Sequence, residues 1–586
     1  MYTTSLKLPL LDKWNATRAV RCIKLSSASS KALLLESTVK EPGHRTNRKI
    51  MGHKQSKQRR EQNREANKQP DTNDQNERNA DTTELITLPD DGRKQLYNFL
   101  LASETPRLGA TIPELVNNED ELKNVIKSAR EAKEIVRVVG SAHSIGPAIG
   151  DTENTPNERR IRLGGELRSF TVLSEEGDTK TVKVGGGCYL GKNPLDKDST
   201  WDNSVNVQLA KINCAIPILG GITQQSIAGF TMTGSAGGSV AHGFEDIIKE
   251  IHFIDGKGQS QVAERGTDLF NAVGVSMGLF GVITYMVLEV KTPSFNVGGV
   301  EKTVSVAESV LAVNENTGTS KLQDTLENTE YFRLTWFPQK YAQRVTEWSG
   351  KRSESTKIVP YKSVIGNHWV AGAAAMALRM MHWGLTHVPC EDTYKLVGDT
   401  LKIFTHENPT EFNDIWYKTI PMDDQVPTDT IFRTEFTELW FPMEETENVI
   451  NILKKLFEDQ QVAGNYACEL YAGKRSPFWM SPAYNRNVFR VDPFWFYHQK
   501  GDAREYYDHY WKALMKVDGV RLHWGKYLPY SGGTYGGVEY GAAFLKNSYP
   551  KMDDWLALRA EYDPDQIYLT EYWRKLFGIE TISAQE

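Results

Sequence analysis

Cysteine is scarce in this chain of 586 residues. The five cysteines (Cys22, Cys188, Cys214, Cys390 and Cys468) are far apart, odd in number and never arranged as CxxC. That spacing argues against a disulfide framework and a structural zinc site, and a reducing compartment is expected. No run of 18 apolar residues occurs, so no ordinary membrane span is expected. No GxGxxG opens a strand–helix–strand unit, which disfavours a Rossmann dinucleotide domain. Positive charge is not in excess either: net charge is −6, against the profile of a general nucleic-acid binder. Hydrophobic residues at 39% and charged residues at 25% still permit large cores. The 14 Trp and 24 Tyr could line a pocket or fill an aromatic core.

Residues 1–90 read as an extension that cannot pack. Residues 1–40 carry seven basic residues, two acids and a serine cluster at Ser26, Ser27, Ser29 and Ser30. This resembles an organellar transit peptide in composition, but a disordered tail or a mis-assigned start codon is the reading preferred. Residues 41–90 have almost no aliphatic side chains before Leu85, so disorder is expected. Within them, Met51-Gly52-His53-Lys54-Gln55-Ser56 fits an N-myristoylation pattern if Met51 initiates translation. Lys57, Arg59 and Arg60 follow it, and an acyl chain with a basic patch is a two-signal membrane anchor. Intracellular placement is expected, with peripheral membrane or mitochondrial association as the refinements these segments raise.

Patterning begins near Thr111. Leu122, Val125, Ile126 and Ala129 have helical spacing, and Asn118–Glu121 can open that helix. Ile135–Val139 reads as a buried strand running into Gly140-Ser141-Ala142-His143-Ser144. Such a turn offers backbone N–H groups to an anion, and small residues allow close approach. Thr181–Val184 leads into Gly185-Gly186-Gly187, and Gly229 and Thr233-Gly234-Ser235-Ala236-Gly237-Gly238 add further small-residue loops. Two such loops close together suggest an extended ligand lying against backbone.

The strings VRVVGSAHS, KVGGG, QQSIAGFTMTGSAGGS and DLFNAVGVSMGLFGVIT, in this order over 106–293, resemble the FAD-binding domain of the vanillyl-alcohol oxidase (PCMH-type) flavoproteins. The resemblance implies an α+β fold with two α+β subdomains. It implies that Gly140, Ser141, Ala142, His143 and Ser144 hold the FAD pyrophosphate. His143 would stand where many members bond the flavin covalently. Gly229, Thr233, Gly234 and Ser235 would lie along the cofactor, and Val282 would touch the adenine end. Ile222 stands where some members carry a second, cysteine linkage, so one covalent bond is expected. Ala236 departs from the T-G-(S/T)-H-G of related sugar-lactone oxidases by lacking the imidazole.

Residues 294–586 mix strands and helices. Tyr331–Pro338, Thr434–Pro442, Ala467–Ala472 and Asn487–Phe496 read as strands, and 444–457 as a helix. Trp369–Leu378 reads as a cap helix, with membrane-surface contact as the alternative. An antiparallel sheet flanked by helices follows. EFTELWFP, CELYAG, FWMSPAYNRN, RLHWGKYLP and EYDPDQIYLTEYWRKLFG resemble the substrate-binding cap of the D-arabinono-1,4-lactone, L-gulonolactone and alditol oxidases. Residues 521–586 would return towards the flavin.

The resemblance implies oxidation of a CH–OH group of a sugar lactone or polyol. Hydride would go to flavin N5, and electrons to oxygen or another acceptor. A base near the hydroxyl and a cation near developing negative charge are the parts required. By motif position these are Glu469, His523 and Lys526. Tyr471 occupies the place of an arginine that usually accompanies the glutamate. Glu469 is therefore expected to lack a guanidinium and to titrate high, with Lys526 as the matched cation. A non-sugar alcohol substrate and a catalytically silent, membrane-tethered flavin-binding protein are the competing readings. No metal and no nucleic-acid partner are expected.

Overall fold

The computed structural model describes residues 113–150, 157–363, 368–406, 408–424, 433–497, 499 and 501–582. The extension, the myristoylation pattern and Cys22 lie outside them.

The first helix, Glu119–Ala132, starts where the sequence signals it. The Asn118 side chain accepts from the Glu121 N–H at 2.9 Å, and three acids sit in the first turn. Its buried stripe is Leu122, Val125, Ile126 and Ala129. It accompanies a parallel sheet of β1 (Glu114–Val116), β2 (Ile135–Val138) and β3 (Glu158–Leu163), in the order β1-β3-β2.

A five-stranded antiparallel sheet follows. It contains β4 (Phe170–Glu176), β5 (Thr179–Gly185), β6 (Ile248–Asp255), β7 (Ser260–Glu264) and β8 (Gly281–Val290), in the order β4-β5-β8-β6-β7. The central strand β8 is buried throughout except at Tyr285 and Glu289, and apart from those two and Thr284 it is apolar, as burial on both faces requires.

The second half is built on nine strands. They are β9 (Asn296–Ser305), β10 (Tyr331–Phe337), β11 (Arg344–Ser353), β12 (Thr410–Ile415), β13 (Thr434–Phe436), β14 (Leu439–Pro442), β15 (Cys468–Gly473), β16 (Val488–Phe496) and β17 (Arg521–Leu522). The order is β12-β9-β11-β10-β15-β16-β14-β17, with β13 also paired to β16. The architecture is α+β. One face of the sheet packs Leu334, Trp336, Leu470, Phe489 and Val491 into a core shared with the helices Thr446–Leu456 and Ala503–Leu514. The other face carries polar side chains and forms a cavity wall. This period-two division is what positions the site.

Two sequence expectations change in detail. The expected strand over 434–442 is broken into β13 and β14 at Thr437 and Glu438. Both are fully buried and turn their side chains to tertiary partners: Thr437 Oγ1 donates to Tyr527 O at 2.7 Å, and Glu438 pairs with Arg490. The helix expected over 444–457 spans Thr446–Leu456, preceded by a 3₁₀ turn at Met443–Glu445.

Among the described residues seven tryptophans are fully buried, at 348, 416, 440, 511, 524, 555 and 573, so much of the aromatic content serves packing. The helix His368–His387 sets Ala374, Leu378, Met381 and Leu385 against Phe337, Phe404 and Phe496. Among the described residues no helix is long and apolar enough to cross a membrane. The C-terminal stretch packs back on the first lobe: Val136 N donates to Ile567 O at 2.7 Å, and Ile145 N to Gly525 O at 3.0 Å.

Candidate active site

The glycine-rich loops close on one another through contacts that only glycine permits. A Cβ at Gly140 would lie 2.6 Å from Ser226 Oγ, and one at Gly186 2.2 Å from Ile283 O. Ala142 sits at φ +58°, a left-handed conformation that costs energy for any residue but glycine. One cavity is lined by Gly140, Gly186, Gly187, Gly229 and Val282. A second and larger one is lined by His143, Ser144, Gly220, Gly221, Ser235 and Ala236 on this side. The turn Gly140–Ser144 runs from one cavity to the other. An extended ligand with a phosphate-rich middle, such as FAD, fits such a cradle.

Gly237 illustrates the tolerance. A Cβ there would stand 2.1 Å from Leu219 O and 2.7 Å from two Ile218 carbons. Gly237→Ala should therefore force the two loops apart and lower bound FAD, read as the ratio of flavin to protein absorbance.

Two expected contacts lie one step removed. Thr233 does not line the larger cavity, but its hydroxyl bonds Ser235 Oγ at 3.0 Å. Gly234, at φ +72°, faces a neighbouring pocket with Val275 and Ser481. His143 Nε2 lies 3.3 Å from Gln224 Oε1.

The opposite wall of the larger cavity is the polar face of the nine-stranded sheet. Register places Arg333 of β10 opposite Tyr471 of β15, and Tyr471 opposite Arg490 of β16. Two residues along, Thr335, Glu469 and Asp492 are matched in the same way. Glu469, Tyr471, His523 and Lys526 all line this cavity together with Arg333, Arg490, Glu438 and Asp423.

The expectation that Glu469 lacks a guanidinium is therefore corrected. Arg333 Nη1 is 3.1 Å from Glu469 Oε1 and 2.5 Å from Asp423 Oδ2, while Nη2 donates to Asp423 Oδ1 at 3.2 Å. Arg490 pairs with Glu438, donates to Tyr471 Oη at 2.8 Å and to Ala236 O at 3.0 Å, and stacks over the Tyr471 and Trp440 rings. The guanidiniums come from the two strands that flank Tyr471. A third arginine at 471 would set three like charges side by side at strand spacing, roughly 5 Å apart. A phenol there separates them and donates to Asp492 Oδ2 at 2.5 Å.

Two of these four charged residues, Arg333 and Arg490, carried a sequence signal. A buried charge must be paired. Arg333 interrupts Tyr-Phe-Arg-Leu-Thr-Trp-Phe and Arg490 interrupts Val-Phe-Arg-Val. Their partners Asp423 and Glu438 come from other segments, which no local pattern connects.

Electrostatics divides the acids. Burial pushes Glu469 up to about 8. Arg333 opposes this, but Asp423 holds that guanidinium bidentately and so leaves Glu469 only a share of its charge. Burial also opposes ionisation of Glu438, yet Arg490, His523 and Lys526 outweigh it and hold this carboxyl below its ordinary value. Asp492 is raised well above its ordinary value, first by burial and then by Glu438. Burial pushes His523 down to about 4, with Lys526 and Arg490 adding to it against Glu438.

His523 is thus neutral at pH 7. Its Nδ1 accepts from the Gly525 N–H at 3.1 Å, so the ring proton resides on Nε2, 3.2 Å from Ser235 Oγ. An imidazole therefore stands beside Ser235 although Ala236 contributes none. Lys526 Nζ lies 4.0 Å above the Phe436 ring.

The chain is similar to the aldonolactone oxidoreductases. Residues 300–576 match the family model described as D-arabinono-1,4-lactone oxidase. L-gulono-1,4-lactone dehydrogenase of Mycobacterium tuberculosis is 23% identical over 479 residues, covering 79% of this chain and 94% of that protein. L-gulonolactone oxidase of Mus musculus is 22% identical, covering 78% and 93%. D-arabinono-1,4-lactone oxidase of Saccharomyces cerevisiae is 28% identical over 248 residues, 42% of each chain. Among solved structures, cholesterol oxidase from Brevibacterium sterolicum superposes with a TM-score of 0.58 at 12% identity, covering 79% of this chain and 93% of that one. That last likeness concerns the fold alone. The second half of the chain is thus similar to the aldonolactone oxidases, and the overall fold is that of cholesterol oxidase.

Proposed function

We propose that the protein is an FAD-dependent oxidoreductase that oxidises a CH–OH group of a sugar lactone. The observation carrying this reading is the single cavity that holds His143 and Ser235 on one wall and Glu469, Arg333 and Lys526 on the other. Bound FAD would supply the electron sink for the hydride lost from substrate carbon. The chain's own residues supply position and proton transfer. Glu469, with a carboxyl poised near pH 8, accepts the hydroxyl proton. His523, neutral and protonated on Nε2, donates a hydrogen bond and orients Ser235. Lys526 contributes positive charge where negative charge develops.

Two arms test this reading. D-arabinono- or L-gulono-1,4-lactone should bleach the flavin anaerobically, and an unchanged flavin spectrum with both would remove it. Mixing the reduced protein with oxygen or with an artificial acceptor then identifies the oxidant. His143 stands on the cavity wall beside Ser144, so a covalent bond to the flavin is proposed through it. Wild type should stay yellow after acid precipitation, whereas His143→Ala should release its FAD. Colour retained by the variant would place the bond elsewhere.

Membrane association through an acyl group on Gly52 is proposed for a product starting at Met51. Gly52→Ala should then move the protein to the soluble fraction, and a mature N-terminus away from Gly52 would exclude it.

A further inference from the structure

One buried acid beside the site has no part in the reaction as described. Asp492 of β16 is fully buried, and β15 places Glu469 directly opposite it. Directly opposed residues of antiparallel neighbours share a face, roughly 5 Å apart at Cβ. Asp492 Oδ2 accepts from the Tyr471 hydroxyl at 2.5 Å. The two arginines of this face are committed elsewhere, Arg333 to Asp423 and Glu469, and Arg490 to Glu438. Among the described residues Asp492 has no ion-pair partner.

The charge count decides what such a carboxyl must be. Asp423, Glu438, Glu469 and Asp492 gather here against the cations Arg333, Arg490 and Lys526. Glu435 lines the same cavity but pairs with Arg433 at 2.8 Å. His523 is neutral. Burial pushes Tyr466, Tyr471 and the Cys468 thiol up, so they stay neutral too. One carboxyl therefore exceeds the cations. An unpaired buried carboxylate costs far more than a neutral acid, so a proton removes the excess. Asp423 and Glu438 each hold a guanidinium. The proton falls to Glu469 and Asp492, and two acids at this spacing resist ionising together.

We infer that Glu469 and Asp492 form a carboxyl dyad holding a single proton in the working enzyme, with Asp492 the neutral acid that donates a hydrogen bond to the Glu469 carboxylate. Asp492 is a positioning residue, since it acts on substrate only through Glu469. The inference deepens the reading above and rests on Glu469 as its base. Burial, and then Glu438, oppose ionisation of Asp492, whereas Arg333 at 3.1 Å favours an ionised Glu469. With the proton on Asp492, the negative charges of Asp423, Glu438 and Glu469 equal the positive charges of Arg333, Arg490 and Lys526. The protons balance over a turnover. The substrate hydroxyl gives one to Glu469, the dyad then holds two, and the second leaves to solvent from Glu469, which lines the cavity.

The test uses the FAD-loaded full chain. Infrared difference spectra of wild type against Asp492→Asn, taken above the pH at which Glu469 ionises, should show a protonated-carboxyl band that the variant lacks. This arm needs no substrate, and absence of the band overturns the inference. The second arm is the pH dependence of anaerobic flavin reduction by L-gulono-1,4-lactone. Its readout is the position of the inflection near 8, not the rate. Asparagine is neutral and keeps a donor, so Asp492→Asn should leave the inflection within about half a pH unit. Asp492→Ala removes a hydrogen bond that favours the carboxylate, so its inflection should rise by about one pH unit. A residue that only packs would move neither the band nor the inflection. Were Asp492 ionised, Asp492→Asn would remove a neighbouring negative charge and lower the inflection by roughly a pH unit or more, which overturns the inference. Loss of the inflection in that variant, or an unchanged one in Asp492→Ala, also overturns it. If Asp492→Ala fails to fold, the asparagine variant and the infrared band still decide. If the lactone leaves the wild-type flavin oxidised, the lactone reading fails while the infrared arm still judges the dyad.

Discussion

Glu469→Gln is expected to slow anaerobic flavin reduction by the proposed lactone substrate by roughly 10²- to 10⁴-fold, the usual contribution of a positioned general base. The wild-type rate at low substrate should rise with pH through about 8, where the buried carboxyl ionises. The variant should show no such rise. The same group leaves a mark on stability. Its folded pKa lies above the ordinary 4.5, so the native state binds the extra proton between pH 4.5 and about 8. Stability from this group is complete below that window and is lost as pH rises through it. Glu469→Gln should remove that decline, which thermal melting across the window would register. A variant that reduces its flavin as fast as wild type would make Glu469 a structural residue.

Arg490→Leu is expected to destabilise the fold by about 3–5 kcal/mol, because it strands Glu438 as an unpaired buried carboxylate. Both side chains are about 3% exposed, so solvent cannot compensate. The Ala236 carbonyl loses its donor at the same time, and FAD should be released at a lower temperature. Adding Glu438→Leu to the same chain should recover much of the loss, since an apolar pair of similar volume carries no desolvation cost. Melting midpoints of wild type and the single and double variants check this. A single variant that melts with wild type would show that the pair contributes nothing.

His523 gives a smaller signal of opposite sign. Its folded pKa lies near 4, below the usual 6.5, so protonation works against the native state. Stability is expected to fall as pH drops from about 6.5 towards 4, and less so in His523→Gln.

Tyr471 shows how a local reading misleads. By motif position it stands in the place of an arginine, which gives the expectation that Glu469 lacks a guanidinium. In the sheet, Arg333 and Arg490 already stand on either side of it. Tyr471→Arg should therefore lower stability through like-charge contact rather than improve turnover.

Much was legible in sequence because the rules involved are local. Helical spacing with an Asn118 cap placed the first helix, and alternation placed β10, β15 and β16 to within a residue or two. The runs Gly140–Ser144 and Gly185–Gly187 announced close backbone packing, since only small residues allow it. The strings around Glu469 and His523 pointed to the cap. The charge balance of the site was not legible. It depends on which strands become neighbours, and β10, β15, β16 and the segment at Asp423 are far apart in the chain. Only the register of the sheet set Arg333 and Arg490 beside Tyr471, and only burial in the folded chain, with Asp423 and Glu438 nearby, raised Glu469. Strand pairing and desolvation are tertiary properties, so the sequence determined the elements while the folded structure decided the electrostatics.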